Sequence, residues 1–241
     1  MANNYFQFKQ FLINQDKCAM KVGTDSVLLG CLVAINNAVN CLDIGTGTGI
    51  LSLMLVQRNN ELQIDAIEID EQAFLQANHN FSSSRFSNQI QAHCCALQSF
   101  APNKKYDLII SNPPYFVGKN NYSIANIQRA KARHDNDLSF EDLIHSVIKL
   151  LSETGKFILI LPIAEAITFK ELAIQKGLFL NKETFIKPKP SKEPNRIIME
   201  FSLLQKEKIT AEFIIYHDDN SQTESYINIT SEFYLYTPSD A

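Results

Sequence analysis

No apolar run in the 241-residue chain approaches the roughly 20 residues needed to cross a bilayer; Phe157 to Leu161 is among the longest. Positive charge is also scarce. Lys and Arg number 22 against 26 Asp and Glu, a formal net charge of −4. That excludes a protein coated in positive charge to hold a polyanion over its whole surface, but leaves room for local basic patches. The five cysteines are odd in number and lack Cys-x-x-Cys spacing, and the five histidines show no His-x-x-x-His or similar ligand pattern. Neither a disulfide framework nor a metal site is therefore expected, and Cys94-Cys95 reads as core or strand edge. Met1 to Phe11 has no apolar core of a secretory signal, so the expected setting is the reducing cytoplasm, away from any membrane.

What is present is a rhythm. From about residue 40 to 205, short apolar runs alternate with helix-period segments, the sequence form of repeated βα units around a mainly parallel sheet. The expected class is an α/β sandwich. Strands are expected over Cys41 to Ile44, Gln63 to Ile69, Ile90 to Cys94, Tyr106 to Ser111, Lys156 to Leu161 and Arg196 to Leu203, with a last one at Glu212 to Tyr216. Helices are expected over Thr24 to Ala34, Ile50 to Gln57, Glu71 to Asn80, Phe140 to Leu151 and Ala164 to Lys176. Ser139 and Asp142 have capping-box spacing at the start of the fourth helix. The aromatic tail, with Tyr226, Phe233, Tyr234 and Tyr236, suggests packing back onto the domain.

Two basic stretches interrupt the rhythm. Val117 to His134 carries Lys119, Arg129, Lys131 and Arg133 without an acid. Lys187 to Arg196 holds Lys187, Lys189, Lys192 and Arg196 against Glu193, and its three prolines make it a non-helical arm. Each reads either as a solvated connection or as a contact surface for phosphate.

Chemistry concentrates at three strand ends. Cys41-Leu-Asp-Ile-Gly-Thr-Gly-Thr-Gly49 is a buried strand ending in Asp43 and the alternating glycines Gly45, Gly47 and Gly49 before a helix. Such a turn lets a ligand approach the backbone. Its spacing differs from the dinucleotide Gly-x-Gly-x-x-Gly, and Asp43 would repel a diphosphate. A ligand with a cationic group fits better, and S-adenosylmethionine, with an ammonium and a sulfonium, is one. The next strand ends Asp65-Ala-Ile-Glu-Ile-Asp70, where a carboxylate can accept ribose hydroxyls; Glu68 is the candidate, and Asp70 more plausibly N-caps the next helix. The fourth strand runs into Asn112-Pro113-Pro114-Tyr115. Two prolines remove two amide donors and leave acceptors. If the Asn112 side-chain oxygen and the Pro113 carbonyl each accept one N–H of a conjugated exocyclic amine, its lone pair is freed from the ring, while Tyr115 stacks on the base. Catalysis would then rest on orientation and selective hydrogen bonding.

Asp43 to Gly49, Glu68 and Asn112 to Tyr115 resemble class I methyltransferases of the amino-methylating subgroup, which modify adenine N6, guanine N2 or glutamine N5. Phe6 to Phe11, Gln15 to Gly30, Ala132 to Asp135, Pro194 to Glu200 and Phe233 to Leu235 further resemble the tRNA(1)(Val) (adenine-37-N6)-methyltransferase family, and the likeness covers nearly the whole chain. The resemblance implies a Rossmann-like fold with a seven-stranded, mostly parallel sheet, the cofactor S-adenosylmethionine, and methylation of the adenine beside the valine anticodon. It implies one domain, with residues 1–39 packing near the cofactor and 40–241 as the catalytic core, acting as a monomer on the tRNA anticodon arm. Lys21, Thr24 and Asp25 would lie beneath the methionine end, although Thr-Asp before an apolar helix is also an N-cap pattern. Ala96 and Leu97 would flank the cofactor adenine; Ala96 stands where family members usually carry an acid. Lys119, Arg129, Arg133, His134, Lys189 and Lys192 would contact RNA. Asp135 beside His134 invites acid–base chemistry, but the amine needs no deprotonation before attack.

Three rival activities use parts of this pattern. A glutamine N5-methyltransferase shares Asn-Pro-Pro-Tyr but usually has an additional helical N-terminal domain, and about 40 residues precede Asp43 here. A DNA adenine methyltransferase would bring a target-recognition insert. A dinucleotide-binding dehydrogenase or sensor would leave Asn112 to Tyr115 unexplained.

Overall fold

The computed structural model describes residues 3–35, 37–113 and 138–235. An antiparallel hairpin of β1 (Tyr5–Gln7) and β2 (Leu12–Asn14) precedes α1 (Thr24–Leu32). The βα units follow as β3 (Asn40–Ile44), α2 (Ile50–Arg58), β4 (Gln63–Glu68), α3 (Glu71–Ser82), β5 (Ile90–Cys94) and β6 (Tyr106–Ser111). Then come α4 (Phe140–Leu150), β7 (Leu151–Pro162), α5 (Ile163–Gln175), β8 (Phe179–Lys187), β9 (Arg196–Ser202), β10 (Ile209–Ile214) and α6 (Glu224–Thr230).

The main sheet has eight strands among the described residues, in the order β10-β8-β9-β7-β6-β3-β4-β5, where seven were expected. The added strand is β8, and β9 runs antiparallel to both its neighbours while the other pairings are parallel. Hydropathy hid β8 because Asn181, Glu183 and Thr184 are among its buried residues. Glu183 is held by Lys170 at 2.9 Å and Lys208 at 2.5 Å, and Asn181 donates to Ser202 Oγ. The expected last strand lies two to three residues earlier than foreseen, at Ile209–Ile214.

Strand alternation sends side chains into two apolar layers. Ile158 and Ile160 of β7 join Cys41, Ile64, Leu108 and Ile110 under α1, α2 and α3. Phe157, Leu159 and Leu161 join Leu42, Ile44, Ile67 and Ile109 under α4 and α5. The tail packs back as expected: Tyr226 and Phe233 are buried, and Tyr234 stacks on Phe8. Tyr236 lies outside the described residues. Helix starts follow local chemistry, with Asp70 accepting from Ala73 N and Ser139 from Asp142 N. The Asp142 carboxylate accepts from the Ser139 hydroxyl. No helix of the described residues is long and apolar enough to cross a membrane.

Candidate active site at the switch point of the sheet

Strand order reverses between β3 and β6, whose C-terminal ends open the crevice where ligands enter parallel α/β sheets. Register makes the crevice compact. Ile67, Ile44 and Ser111 share one row, so Glu68, Gly45 and Asn112 are each the next residue on three adjacent strands. At about 4.8 Å per strand, the three positions span about 10 Å.

Asp43 is fully buried, and its Oδ2 accepts from Thr46 Oγ1 and Ser52 Oγ at 2.7 Å each. Its Oδ1 is buried without a partner among the described residues. Burial pushes the carboxyl up to about 6, against the lowering effect of the two hydroxyls. Gly45, Gly47 and Gly49 have φ of 70°, 57° and 83°. A Cβ at Gly45 or Gly47 would meet nothing within 4 Å, so the turn presents open space, whereas one at Gly49 would lie 2.3 Å from Phe81. Gly49 is thus required both by its left-handed conformation and by the close approach of α3.

Glu68 fixes this turn as well as ending β4: Oε2 accepts from Gly47 N, and Oε1 from Ile69 N and Asp70 N. A carboxylate offers about four acceptor directions, so three backbone amides leave little more than one free. Ala96 N-caps the 3-10 turn Leu97–Ser99 at the end of β5, and Leu97 is buried beside Ile67 and Ile44.

Asn112 follows β6 half-buried and Pro113 is buried. Asn112 Nδ2 donates to Ser26 Oγ at 2.9 Å, and Oδ1 is buried with no partner among the described residues. Pro114, Tyr115, Lys119, Arg129, Arg133, His134 and Asp135 lie outside the described residues.

In α1, Gly23 occupies the N-cap position without a side-chain cap bond, and Thr24 is the exposed first residue. Asp25 pairs with Arg196 Nε at 2.9 Å, tying α1 to the start of β9. Lys21 is exposed, 3.4 Å from the Asn3 carbonyl. The proline-rich arm joins β8 to β9 at the same sheet edge as Asn112, since Ile186 pairs with Arg196 and Arg196 with Pro162. Lys189 donates to the Asp218 carbonyl and Lys192 is exposed.

Sequence reasoning missed two residues. Asn80 is buried in α3, exchanges bonds with the Asn14 backbone and donates to the Thr48 carbonyl, linking the N-terminal strap to the glycine turn. Nothing in the sequence marked Asn80, which stands among polar residues in Asn78-His79-Asn80-Phe81-Ser82. Ser26 had no signal either, because its bond to Asn112 spans 86 residues.

Residues 18–137 match the family model described as Methyltransferase small domain. A Trichodesmium erythraeum protein named tRNA1(Val) (adenine(37)-N6)-methyltransferase is 43% identical over 243 residues, covering 98% of this chain and 99% of the relative. One of the same name from Pseudoalteromonas translucida is 41% identical, covering 95% and 98%. The chain belongs to this family. The family's fold also has distant solved neighbours. A predicted O-methyltransferase from Agrobacterium tumefaciens superposes with a TM-score of 0.68 at 18% identity, covering 88% of this chain and 98% of that one. A glycopeptide N-methyltransferase complexed with S-adenosylmethionine gives 0.57 at 11% identity, covering 78% and 96%. At these identities the likeness concerns the fold alone.

Proposed function

We propose that the chain transfers the methyl group of S-adenosylmethionine to N6 of adenine 37 in tRNA1(Val), in the cytoplasm. Its relatives, matched over nearly their whole length, carry the name of this reaction. The observation that carries the proposal is the Asn112 Oδ1: a buried acceptor without a partner among the described residues, one residue beyond the row shared with the strand that leads into the glycine turn. A buried amide oxygen left unpaired costs free energy, so it fits a site that a donor completes.

The residues present suit the cofactor. Asp43 offers an ammonium an oxygen that has no partner among the described residues, Gly45 and Gly47 leave space over the turn, and Glu68 retains an acceptor direction for a ribose hydroxyl. When bound, S-adenosylmethionine supplies an electrophilic methyl group. The chain's task is the nucleophile. Asn112 Oδ1 and the Pro113 carbonyl accept the two N–H bonds of the adenine amine, which withdraws its lone pair from the ring. Pro113 has no N–H to compete for either oxygen. Tyr115 stacks on the flipped base, and the cations of the two basic segments hold phosphates. An unpaired loop adenine needs only unstacking to reach this place.

Asn112→Ala should lower the single-turnover rate of methyl transfer by about 100-fold or more while leaving S-adenosylmethionine affinity within about twofold. A variant with wild-type turnover would refute the acceptor role.

A further inference from the structure

We infer that Ser26 is a positioning residue for the methyl-transfer step, holding the Asn112 amide with its oxygen toward the incoming amine; the inference rests on the function proposed above. A primary amide can sit in its pocket two ways, with oxygen and nitrogen exchanged. Only one of them works. With the nitrogen outward, two N–H donors would face the two N–H donors of the target base. With Nδ2 donating to Ser26 Oγ at 2.9 Å, Oδ1 is the atom left to accept from the amine. The Asn112 oxygen is at the same time buried and without a partner among the described residues. The next position cannot satisfy it, because Pro113 has no amide proton.

Ser26 is itself well placed to hold a fixed position. It lies in the first turn of α1, followed by the buried Val27, Leu28 and Leu29. The preceding residue, Asp25, is tied by Arg196 to the sheet edge where β7 and β9 meet. The hydroxyl is thus carried by a helix pinned on both sides, one by apolar packing and one by an ion pair. A serine hydroxyl can donate as well as accept, so Ser26 anchors the plane of the amide while the donors of the incoming amine select its oxygen; removing the hydroxyl takes that anchor from Nδ2.

The test is a double-mutant cycle on single-turnover methyl transfer, with cofactor affinity and thermal midpoint measured in parallel. Ser26→Ala should slow transfer about 5- to 20-fold, the scale of one partly buried hydrogen bond, with affinity for S-adenosylmethionine unchanged and the midpoint lowered by only about 2–5 °C. Ser26→Thr, which keeps the hydroxyl, should restore most of the rate. In the Asn112→Ala background, Ser26→Ala should slow transfer no further. An unimpaired Ser26→Ala enzyme, or the same fractional loss with and without Asn112, would overturn the inference. So would a loss accompanied by weakened cofactor binding or by a midpoint lowered by about 10 °C or more. Wild-type turnover by Asn112→Ala alone would instead refute the acceptor reading on which the inference rests, whatever Ser26→Ala does.

Discussion

At the scale of single residues the site is defined by two oxygens that are buried and lack partners among the described residues, Asp43 Oδ1 and Asn112 Oδ1. The first has a measurable consequence. Burial raises the Asp43 carboxyl from 3.8 to about 6, so in the folded protein it holds its proton over a range where the unfolded chain has released it. Stability from this group is therefore greatest below about pH 4, falls as pH rises toward 6, and is level above; the shift corresponds to roughly 3 kcal/mol. Relative to wild type, Asp43→Asn should gain stability between pH 4 and pH 7 by about that amount in chemical denaturation of the cofactor-free protein. A constant difference between the two proteins across this range would contradict the assignment. Asp43, the glycines and Asn112 were all legible in the sequence because each lies at the end of an apolar strand, where local pattern and site coincide. Ser26 and Asn80 were not, because their roles arise from contacts across the fold.

At the scale of elements, α3 positions the glycine turn through Phe81 and Asn80. Gly49→Ala meets two penalties, a left-handed φ of 83° and a Cβ 2.3 Å from the Phe81 ring. Together these should destabilise the protein by roughly 2–4 kcal/mol. In a Phe81→Leu background the steric part is relieved, and the same substitution should cost only about 1–2 kcal/mol. Equal costs in both backgrounds, read by urea denaturation, would show that Phe81 does not press on the turn. Element by element, the strands that bury continuous apolar residues were readable: β3, β4, β5 and β6 fall where the sequence placed them, within a residue or so. β8 was not, because three of its buried positions are the polar Asn181, Glu183 and Thr184, the first bonded to Ser202 and the second paired with Lys170 and Lys208. The three-residue strands β1 and β2 and the seven-residue α6 are too short to show a period.

At the scale of the whole molecule, an acidic protein must engage a polyanion locally. The β8–β9 arm lies on the sheet edge that carries Asn112, two to three strands away, or roughly 10–15 Å at the spacing of a sheet. Charge reversal of Lys189 and Lys192 should weaken tRNA binding and leave S-adenosylmethionine affinity unchanged. The salt slope should fall by about 0.7 to 0.9 for each phosphate that these lysines no longer neutralise. Unaltered tRNA binding across a salt titration would move the RNA surface elsewhere. Sequence alone supplied the cations of this arm but not its place, which depends on β8 and β9 pairing antiparallel. The proposed reaction methylates one adenine in one tRNA. Its most direct test is incubation of the purified protein with S-adenosylmethionine and tRNA1(Val) lacking the modification, followed by nuclease mapping and nucleoside mass analysis. N6-methyladenosine should form at position 37 with the wild-type protein and be nearly absent with Asn112→Ala. Methylation at another nucleotide, or unmodified tRNA in a reaction where cofactor binding is demonstrated, would contradict it.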